Sequence, residues 1–236
     1  MQIHAISDLH LSLSVDKPMD IFGGRWSNYM ERLREEWNNA VKAEDYVIIP
    51  GDISWATYLD EAVADFKFIE ELPGKKIISK GNHDYWWTTA HKLSNFKEKY
   101  NFNSIEFMHN NCFDLDEMIL CGTRGWQCPG DEGFEAEDYK IYQRELQRLE
   151  LSLQSIPKGK TGDIYVSLHY PPFNSQRQPS DFVNIMKKYG VRKCIYGHLH
   201  GYSFKNAVQG DFDGIDYSLV SADYLNFKPI QLKCTP

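Results

Sequence analysis

The chain lacks the features that mark several protein classes. Its 236 residues carry 26 Lys and Arg against 33 Asp and Glu, so its net charge is −7 and there is no broad basic excess of the kind that duplex nucleic-acid binders use. No apolar run approaches the ~18 residues that a membrane span requires. The N-terminus also lacks the basic and long apolar regions of a signal peptide. We therefore expect neither a membrane span nor a leader. A nucleic-acid partner is disfavoured, although the charge is compatible with a local cationic groove.

Cysteine is scarce and is not arranged for disulfides or structural zinc. No two cysteines form a C-x-x-C pair, and their number is odd. The five are Cys112, Cys121, Cys128, Cys194 and Cys234. Because Cys121 and Cys194 lie in apolar, strand-like runs, we expect buried free thiols. This usage fits a reducing compartment and predicts a cytoplasmic location.

The first half of the chain alternates short apolar runs with amphipathic helical patterns. With 42% hydrophobic and 14% aromatic residues, the chain is able to bury a sizeable core. Strands are predicted at 3–6, 46–49 and 76–79, with helices between them and a third helix over about 87–100. This alternation is typical of stacked β-α units and predicts an α/β fold with a largely parallel sheet.

The second half has shorter strands. A hairpin is predicted at 112–121, further strands at 164–168 and 193–196, and an antiparallel pattern at the end. The segment from about 123 to 162 reads as a departure from the sheet, made of a loop and a charged helix over 136–153, which we expect to cover the site. We find no linker or repeat, so we predict a single domain over residues 1–236.

Short ligand-rich motifs stand where the apolar runs end. They are Asp8-x-His10, Gly51-Asp52, Gly81-Asn82-His83-Asp84, His169 and Gly197-His198-x-His200. In an extended segment residues i and i+2 project to the same side, so each D-x-H or H-x-H pair can aim two ligands at one small volume. Ligands collect beyond the carboxyl ends of the strands in open α/β sheets, so these motifs are expected to converge there.

The donor set indicates the class of metal. Carboxylate, imidazole and amide donors are typical ligands of a hard or borderline transition ion, whereas a structural zinc site is rich in thiolates. We expect manganese first, with iron, zinc, nickel or cobalt as alternatives. Positions left open to water or substrate distinguish a catalytic site from a closed structural one.

Together the five ordered motifs resemble those of the calcineurin-like metallophosphoesterase superfamily, and the resemblance runs from Asp8 to His200. It implies a four-layer α/β/β/α sandwich with two central mixed sheets, and a site that holds two divalent metal ions. The implied ligands of one metal are Asp8, His10, Asp52 and His200, with Asp52 bridging to a second metal held by Asn82, His169 and His198. His83 is implied to lie beside the phosphate, and Asp84 to orient His83.

The resemblance also implies a reaction. A hydroxide that bridges the two metals would attack a phosphomonoester or phosphodiester directly, and His83 would protonate the leaving oxygen or stabilise the phosphoryl charge. The expected substrate is a small phosphoester, for example a nucleotide. Asp52 is followed by Ile53-Ser54-Trp55, without the second Asp and the Arg of Ser/Thr protein phosphatases, and Asp84 replaces their Glu. A protein phosphatase is therefore disfavoured.

Two other functions are compatible with this fold. A DNA or RNA nuclease would share the motifs, although such enzymes usually carry added DNA-binding segments. A scaffold that uses the fold to bind proteins would be expected to lose ligands or the catalytic His, whereas all of these positions are filled here.

Three residues outside the motifs are candidates for substrate binding. Arg25 and Arg124 each lie in a glycine- and tryptophan-containing loop and could bind a phosphate with a bidentate fork. Trp86 follows the Asn-His motif and could wall a pocket for the leaving group. The alternatives are solvated surface arginines and core packing, respectively.

Overall fold

The computed structural model describes residues 1–232 and contains two β-sheets with helices on both outer sides. The strands are β1 (Ile3–Ala5), β2 (Tyr46–Pro50), β3 (Lys75–Ser79), β4 (Ile105–Phe107), β5 (Phe113–Leu115), β6 (Met118–Thr123), β7 (Asp163–Leu168), β8 (Lys193–Tyr196), β9 (Gly210–Phe212), β10 (Ile215–Leu219) and β11 (Ile230–Leu232). The helices are α1 (Tyr29–Ala40), α2 (Val63–Glu71), α3 (Ala90–Tyr100), α4 (Ala136–Gln154) and α5 (Asp181–Lys188). Short 3₁₀ turns lie at Met19–Phe22, Gly24–Trp26 and Gly201–Asn206.

Both sheets are mixed, with a parallel centre. The first has the order β11-β1-β2-β3-β4, in which only β11 runs antiparallel to its neighbour. The second has the order β5-β6-β7-β8-β10-β9, with antiparallel strands β5 and β9 at its two edges. Because parallel strands share a direction, the carboxyl ends of β1, β2 and β3 lie along one edge of the first sheet.

Three apolar clusters hold four layers together. The middle cluster joins inward side chains of the two sheets, such as Ile48 and Ile77 on one and Leu120 and Ile195 on the other. A second cluster packs α1, α2 and α3 on the outer face of the first sheet, and a third packs α4 and α5 on the outer face of the second. Alternate residues of each strand therefore enter different clusters, as expected for strands buried on both faces. The predicted α/β/β/α sandwich is confirmed.

The two sheets also meet at the carboxyl ends of their strands. Beyond β1 and β10, an isolated parallel bridge joins Ser7 to Ser221, and the Ser7 N–H donates to the carbonyl of Val220 at 2.8 Å. This contact fixes the residues that follow each strand, Asp8 and Asp223, at the same edge of the molecule.

The prediction for the end of the chain differs in part from the structure. The chain end was expected to be antiparallel, but β10 pairs parallel with β8 and only the β9-β10 hairpin and β11 are antiparallel. The short β9 reverses the chain, which brings β10 back beside β8 in the same direction. Segment 123–162 contains the predicted loop and helix. The helix, α4, lies in the connection between the parallel strands β6 and β7, and its Tyr142 and Leu149 pack against the second sheet.

The cysteine prediction is confirmed for the described residues. Cys121 and Cys194 are buried and free, and Cys112 and Cys128 also carry free thiols. Cys234 lies outside the described residues. Within residues 1–232, no helix combines the length and apolar character needed to cross a lipid bilayer.

Candidate metal centre

The seven predicted metal ligands converge at the carboxyl ends of strands from both sheets. From the first sheet, Asp8 and His10 follow β1, Asp52 follows β2 and Asn82 follows β3. From the second sheet, His169 follows β7, and His198 and His200 follow β8. The strand-end position that the sequence predicts for these motifs is thus the one that the structure shows.

One cluster is formed by Asp8, His10 and His200. The Nε2 atoms of His10 and His200 are 3.3 Å apart, and Nε2 of His200 is 3.4 Å from Oδ1 of Asp8. One ligand atom from each of the three residues lies within 4.8 Å of the others, which is a grouping that could hold a metal ion.

A second cluster adjoins the first. Oδ1 of Asn82 lies 2.6 Å from Nε2 of His169 and 2.8 Å from Nδ1 of His198. Oδ2 of Asp52 lies 3.5 Å from Nε2 of His169 and 3.7 Å from Nε2 of His10. Asp52 therefore stands between the imidazoles of the two clusters, which is the position a shared ligand would need.

Hydrogen bonds fix the orientation of two of these imidazoles. Nδ1 of His169 lies 2.9 Å from the carbonyl of Pro50, and Nδ1 of His200 lies 2.8 Å from Oδ1 of Asp223. A ring nitrogen that donates to such an acceptor leaves the other nitrogen free as a lone-pair donor. In both residues the free nitrogen is Nε2, the atom that faces its cluster.

The protonation states fit divalent cations at these clusters. Burial lowers the pKa of His169 to about 4 and that of His198 to about 3, so both imidazoles are neutral, the form that binds metal. Burial also acts to lower the pKa of His200, but hydrogen bonds and charges from Asp223 and Asp8 raise it to about 10. A proton on His200 thus supplies positive charge that a metal cation would otherwise supply. We conclude that the donor set fits a pair of divalent ions.

The backbone at the centre is held in an uncommon conformation. Asp8, His10, Asp52 and His198 have φ values of 59°, 47°, 52° and 70°. For residues other than glycine, such angles cost free energy and are found where the surrounding structure enforces them, often at functional sites. The hydrogen bond from the His10 N–H to the carbonyl of Asp52, at 3.0 Å, is one such constraint.

Glycines at 81 and 197 allow the loops to approach the carboxylates. A Cβ atom on Gly81 would overlap the backbone and carboxylate of Asp52, and one on Gly197 would overlap the side chains of Asp8 and Ser7. Neither position needs a positive φ, so the requirement is close approach rather than an unusual turn.

The resemblance implies that Asp84 orients His83. The hydrogen bonds of its carboxylate instead go to the neighbouring loop. Its carboxylate accepts hydrogen bonds from the backbone N–H groups of Gly81, Asp52 and Ile53 at 2.7–2.9 Å, and from Nε1 of Trp86 at 3.0 Å. Burial raises the pKa of Asp84 to about 6, against the effect of these backbone donors. Asp84 is therefore a positioning residue for the loop that carries Asp52.

His83 lies beside the clusters and belongs to neither. Among the described residues, the Asp and His side chains that could hold a metal form the groups Asp8-His10-His200 and Asp8-Asp52-His169, and His83 is in neither. Its ring packs on Trp55 with 4.4 Å between centroids, and its buried Nδ1 has no hydrogen-bond partner in the described chain. Its backbone N–H donates to Oδ1 of Asp52 at 2.8 Å. The ring is thus available to a ligand at the centre.

A cavity of about 840 Å³ opens on the first cluster. We call it the aromatic cavity, because Phe22, Trp26, Trp55 and Tyr202 line it. The remaining lining residues are His10, Met19, Gly23, Gly24, Arg25, His83, His200, Gly201, Ser203 and Asp223. A volume of this order accommodates an organic group much larger than a phosphate ion.

The structure separates the three substrate-binding candidates. Arg25 lines the aromatic cavity and is exposed. Arg124 lies instead beside a second cavity of about 400 Å³, where it pairs with the buried carboxylate of Glu145 at 3.3 Å and lies 4.3 Å over the ring of Trp126. Trp86 is only 2% exposed, packs against Phe66, which fits the core-packing alternative, and is not among the residues that line the aromatic cavity.

Asp223 is the functional residue that sequence reasoning missed. It follows β10 as the ligands follow their strands, but no histidine or glycine stands next to it to mark it as a motif. The strand-end rule, applied to every acidic residue, would have found it.

Asp223→Ala is expected to weaken metal binding by about 10- to 100-fold, because the loss frees the ring of His200 to rotate. Asp223→Asn keeps an oxygen for the hydrogen bond and should have a smaller effect. Competition with a chromogenic chelator measures the metal dissociation constant. Asp211→Asn, an exposed aspartate on β9, is the control. Unchanged metal affinity in Asp223→Ala would contradict a role for this carboxylate.

Comparison with known proteins agrees with this geometry. The family model described as calcineurin-like phosphoesterase matches residues 1–202. No curated protein matches the chain significantly.

Solved structures share the fold at low sequence identity. A phosphopantetheinyl hydrolase from Mycobacterium tuberculosis superimposes with a TM-score of 0.58 at 12% identity, covering 100% of this chain and 96% of that one. A protein of unknown function from Aquifex aeolicus gives a TM-score of 0.52 at 16% identity, covering 98% and 95%. At these identities the likeness shows the fold alone.

Proposed function

The chain belongs to the calcineurin-like phosphoesterase family, and from this premise we propose that it is a dinuclear metal-dependent enzyme that hydrolyses a small phosphomonoester or phosphodiester. The observation that carries the proposal is the grouping of Asp8, His10 and His200 at one cluster and of Asn82, His169 and His198 at a second, with Asp52 between the imidazoles of His10 and His169. We expect manganese as the natural metal, because the mixed oxygen and imidazole donors suit it.

Two bound divalent ions would activate water and neutralise charge on the phosphoryl group during an in-line displacement. Residues of the chain would supply proton transfer and would position the ligands. We assign to His83 the protonation of the leaving oxygen, since its imidazole stands beside the clusters and lines the aromatic cavity. Asp223 orients His200, and Asp84 holds the backbone that presents Asp52. The cavity receives the organic group of the substrate.

The nuclease alternative has less support from the surface. A nuclease tracks the phosphate backbone with an extended set of cations. The net charge here is −7, and the described lining of the cavity beside the first cluster contains one arginine, Arg25, and no lysine. A strand of DNA or RNA would therefore meet few compensating charges on this side of the centre.

The proposal predicts metal-dependent turnover of simple esters. Protein stripped with a chelator and reloaded with manganese should hydrolyse p-nitrophenyl phosphate or bis(p-nitrophenyl) phosphate, and the stripped protein should not. Single-stranded and duplex DNA, assayed in parallel, test the nuclease alternative. Complete inactivity of metal-loaded protein on both chromogenic esters would favour a scaffold that binds proteins.

A further inference from the structure

The aromatic cavity is far larger than the reacting group that the metal centre would bind. Its lining contains His10, His83 and His200, whereas the second-cluster residues Asn82 and His169 do not line it. A phosphoester held at the centre would thus direct one of its substituents into this space. The chemistry of that substituent can therefore be inferred from the residues that line the cavity.

Of the four aromatic side chains that line the cavity, two are packed against other rings and two are exposed to solvent. Trp26 packs between His200 and Phe227, and Trp55 stacks on His10 with 4.9 Å between centroids. By contrast, Phe22 is 63% exposed and Tyr202 is 96% exposed, and neither contacts another aromatic ring within the described chain. Because both exposed rings line the same cavity, they are candidates for contact with a ligand.

Phe22 and Tyr202 approach the cavity from different segments. Phe22 ends the 3₁₀ turn Met19–Phe22, and Tyr202 lies in the turn Gly201–Asn206, directly after the ligand His200. Gly23, which follows Phe22, has φ of 111° and nothing within 4 Å of the position of an added Cβ, so this turn has space to adjust. Two such rings suit a planar aromatic group, which aromatic side chains bind by stacking or edge contacts.

Two cations at the same place lack carboxylate partners. Arg25 lines the cavity, and Nζ of Lys17 lies 4.4 Å from the ring centroid of Trp55, another of its walls. Among residues 1–232 neither forms a salt bridge; the Arg25 guanidinium makes a 3.4 Å hydrogen bond to the carbonyl of Asp223 and lies 5.6 Å from the ring centroid of Phe204. Unpaired cations at one cavity of a chain with a net charge of −7 favour a second anionic group on the ligand.

We infer that the aromatic cavity binds the organic group of a phosphoester substrate, that this group contains a planar ring contacted by Phe22 and Tyr202, and that it carries a second anionic group bound by Arg25. A nucleotide with an additional phosphate has this chemistry. The inference rests on the proposed function for its account of turnover, but its binding component does not.

Binding to metal-free protein tests the inference apart from catalysis. Isothermal titration with adenosine 3′,5′-bisphosphate, adenosine 5′-monophosphate and ribose 5-phosphate separates the base from the second phosphate. We expect the bisphosphate to bind most tightly and ribose 5-phosphate least. Phe22→Ala and Tyr202→Ala should each weaken nucleotide binding about 3- to 10-fold and leave ribose 5-phosphate unchanged.

Charge is tested with Arg25→Gln, which should remove most of the preference for the bisphosphate over the monophosphate. Exposed residues away from the cavity supply matched controls, Tyr139→Ala on α4 for the rings and Arg192→Gln for the charge. The three phosphates are then assayed as substrates of the manganese-loaded protein by phosphate release, with KM and kcat determined separately.

The outcomes distinguish this inference from the proposed function. Equal affinity for ribose 5-phosphate and the two nucleotides would overturn the inference even if chromogenic esters are hydrolysed. Base-selective binding that depends on Phe22 and Tyr202 in a protein that hydrolyses no ester would support the inference and remove the proposed function.

Discussion

His83→Ala is expected to lower kcat by about 10²- to 10⁴-fold, the usual contribution of a positioned proton donor, while metal content stays near that of the unsubstituted protein. The reason is positional: His83 lies outside both ligand groups, and its link to Asp52 is made by the backbone N–H, which alanine keeps. Steady-state kinetics on manganese-loaded protein and elemental analysis of the same samples measure both quantities.

A comparison of two leaving groups distinguishes the two possible roles of His83. If the imidazole protonates the leaving oxygen, the loss in His83→Ala should be larger for phenyl phosphate than for p-nitrophenyl phosphate, whose leaving group needs no proton. Equal losses would assign His83 to charge stabilisation on the phosphoryl group instead. His91→Ala, an exposed histidine on α3, is the control and should have full activity. Full activity in His83→Ala would remove the residue from the mechanism.

The layered fold was predictable because its signals are local. Short apolar runs that alternate with helical periodicity specify β1, β2 and β3 and the helices between them, whatever lies elsewhere in the chain. The parallel pairing of β10 with β8 was not predictable, because the hairpin pattern of 210–219 is the same whether β10 joins the sheet parallel or antiparallel. That choice depends on the path of the preceding residues across the sheet edge.

Some features of the candidate site were likewise predictable from the sequence and others were not. Residues such as Asp8 and His198 carry their own motif and a strand before them, so their place at the centre could be inferred from sequence. The contacts of the positioning carboxylates could not, because Asp84 and Asp223 act on residues 32 and 23 positions away, at Asp52 and His200. The burial of Trp86 likewise depends on α2, which supplies Phe66 as its partner.

Asp52→Asn is expected to lose most of the bound metal and nearly all turnover, since its Oδ2 lies between the imidazoles of His10 and His169. The same substitution should stabilise the metal-free protein. Burial, together with the charges of Asp84 and Asp8, raises the pKa of Asp52 well above its ordinary value. A folded-state pKa above the unfolded one means that ionisation at neutral pH costs folding free energy, and asparagine removes that cost while its Oδ1 still accepts from the His83 N–H.

Thermal unfolding with and without manganese measures both effects. Metal at about 100 times its Kd stabilises by about 2.7 kcal/mol, which for a chain of this size corresponds to a rise in Tm of roughly 5–11 °C in the unsubstituted protein. Asp52→Asn should show a higher Tm than the unsubstituted protein without metal, and little or no rise with it. Asp211→Asn, exposed on β9, should follow the unsubstituted protein in both conditions. A full metal-induced rise in Asp52→Asn would refute the shared-ligand role, because the loss of a carboxylate between two cations should weaken the binding of both.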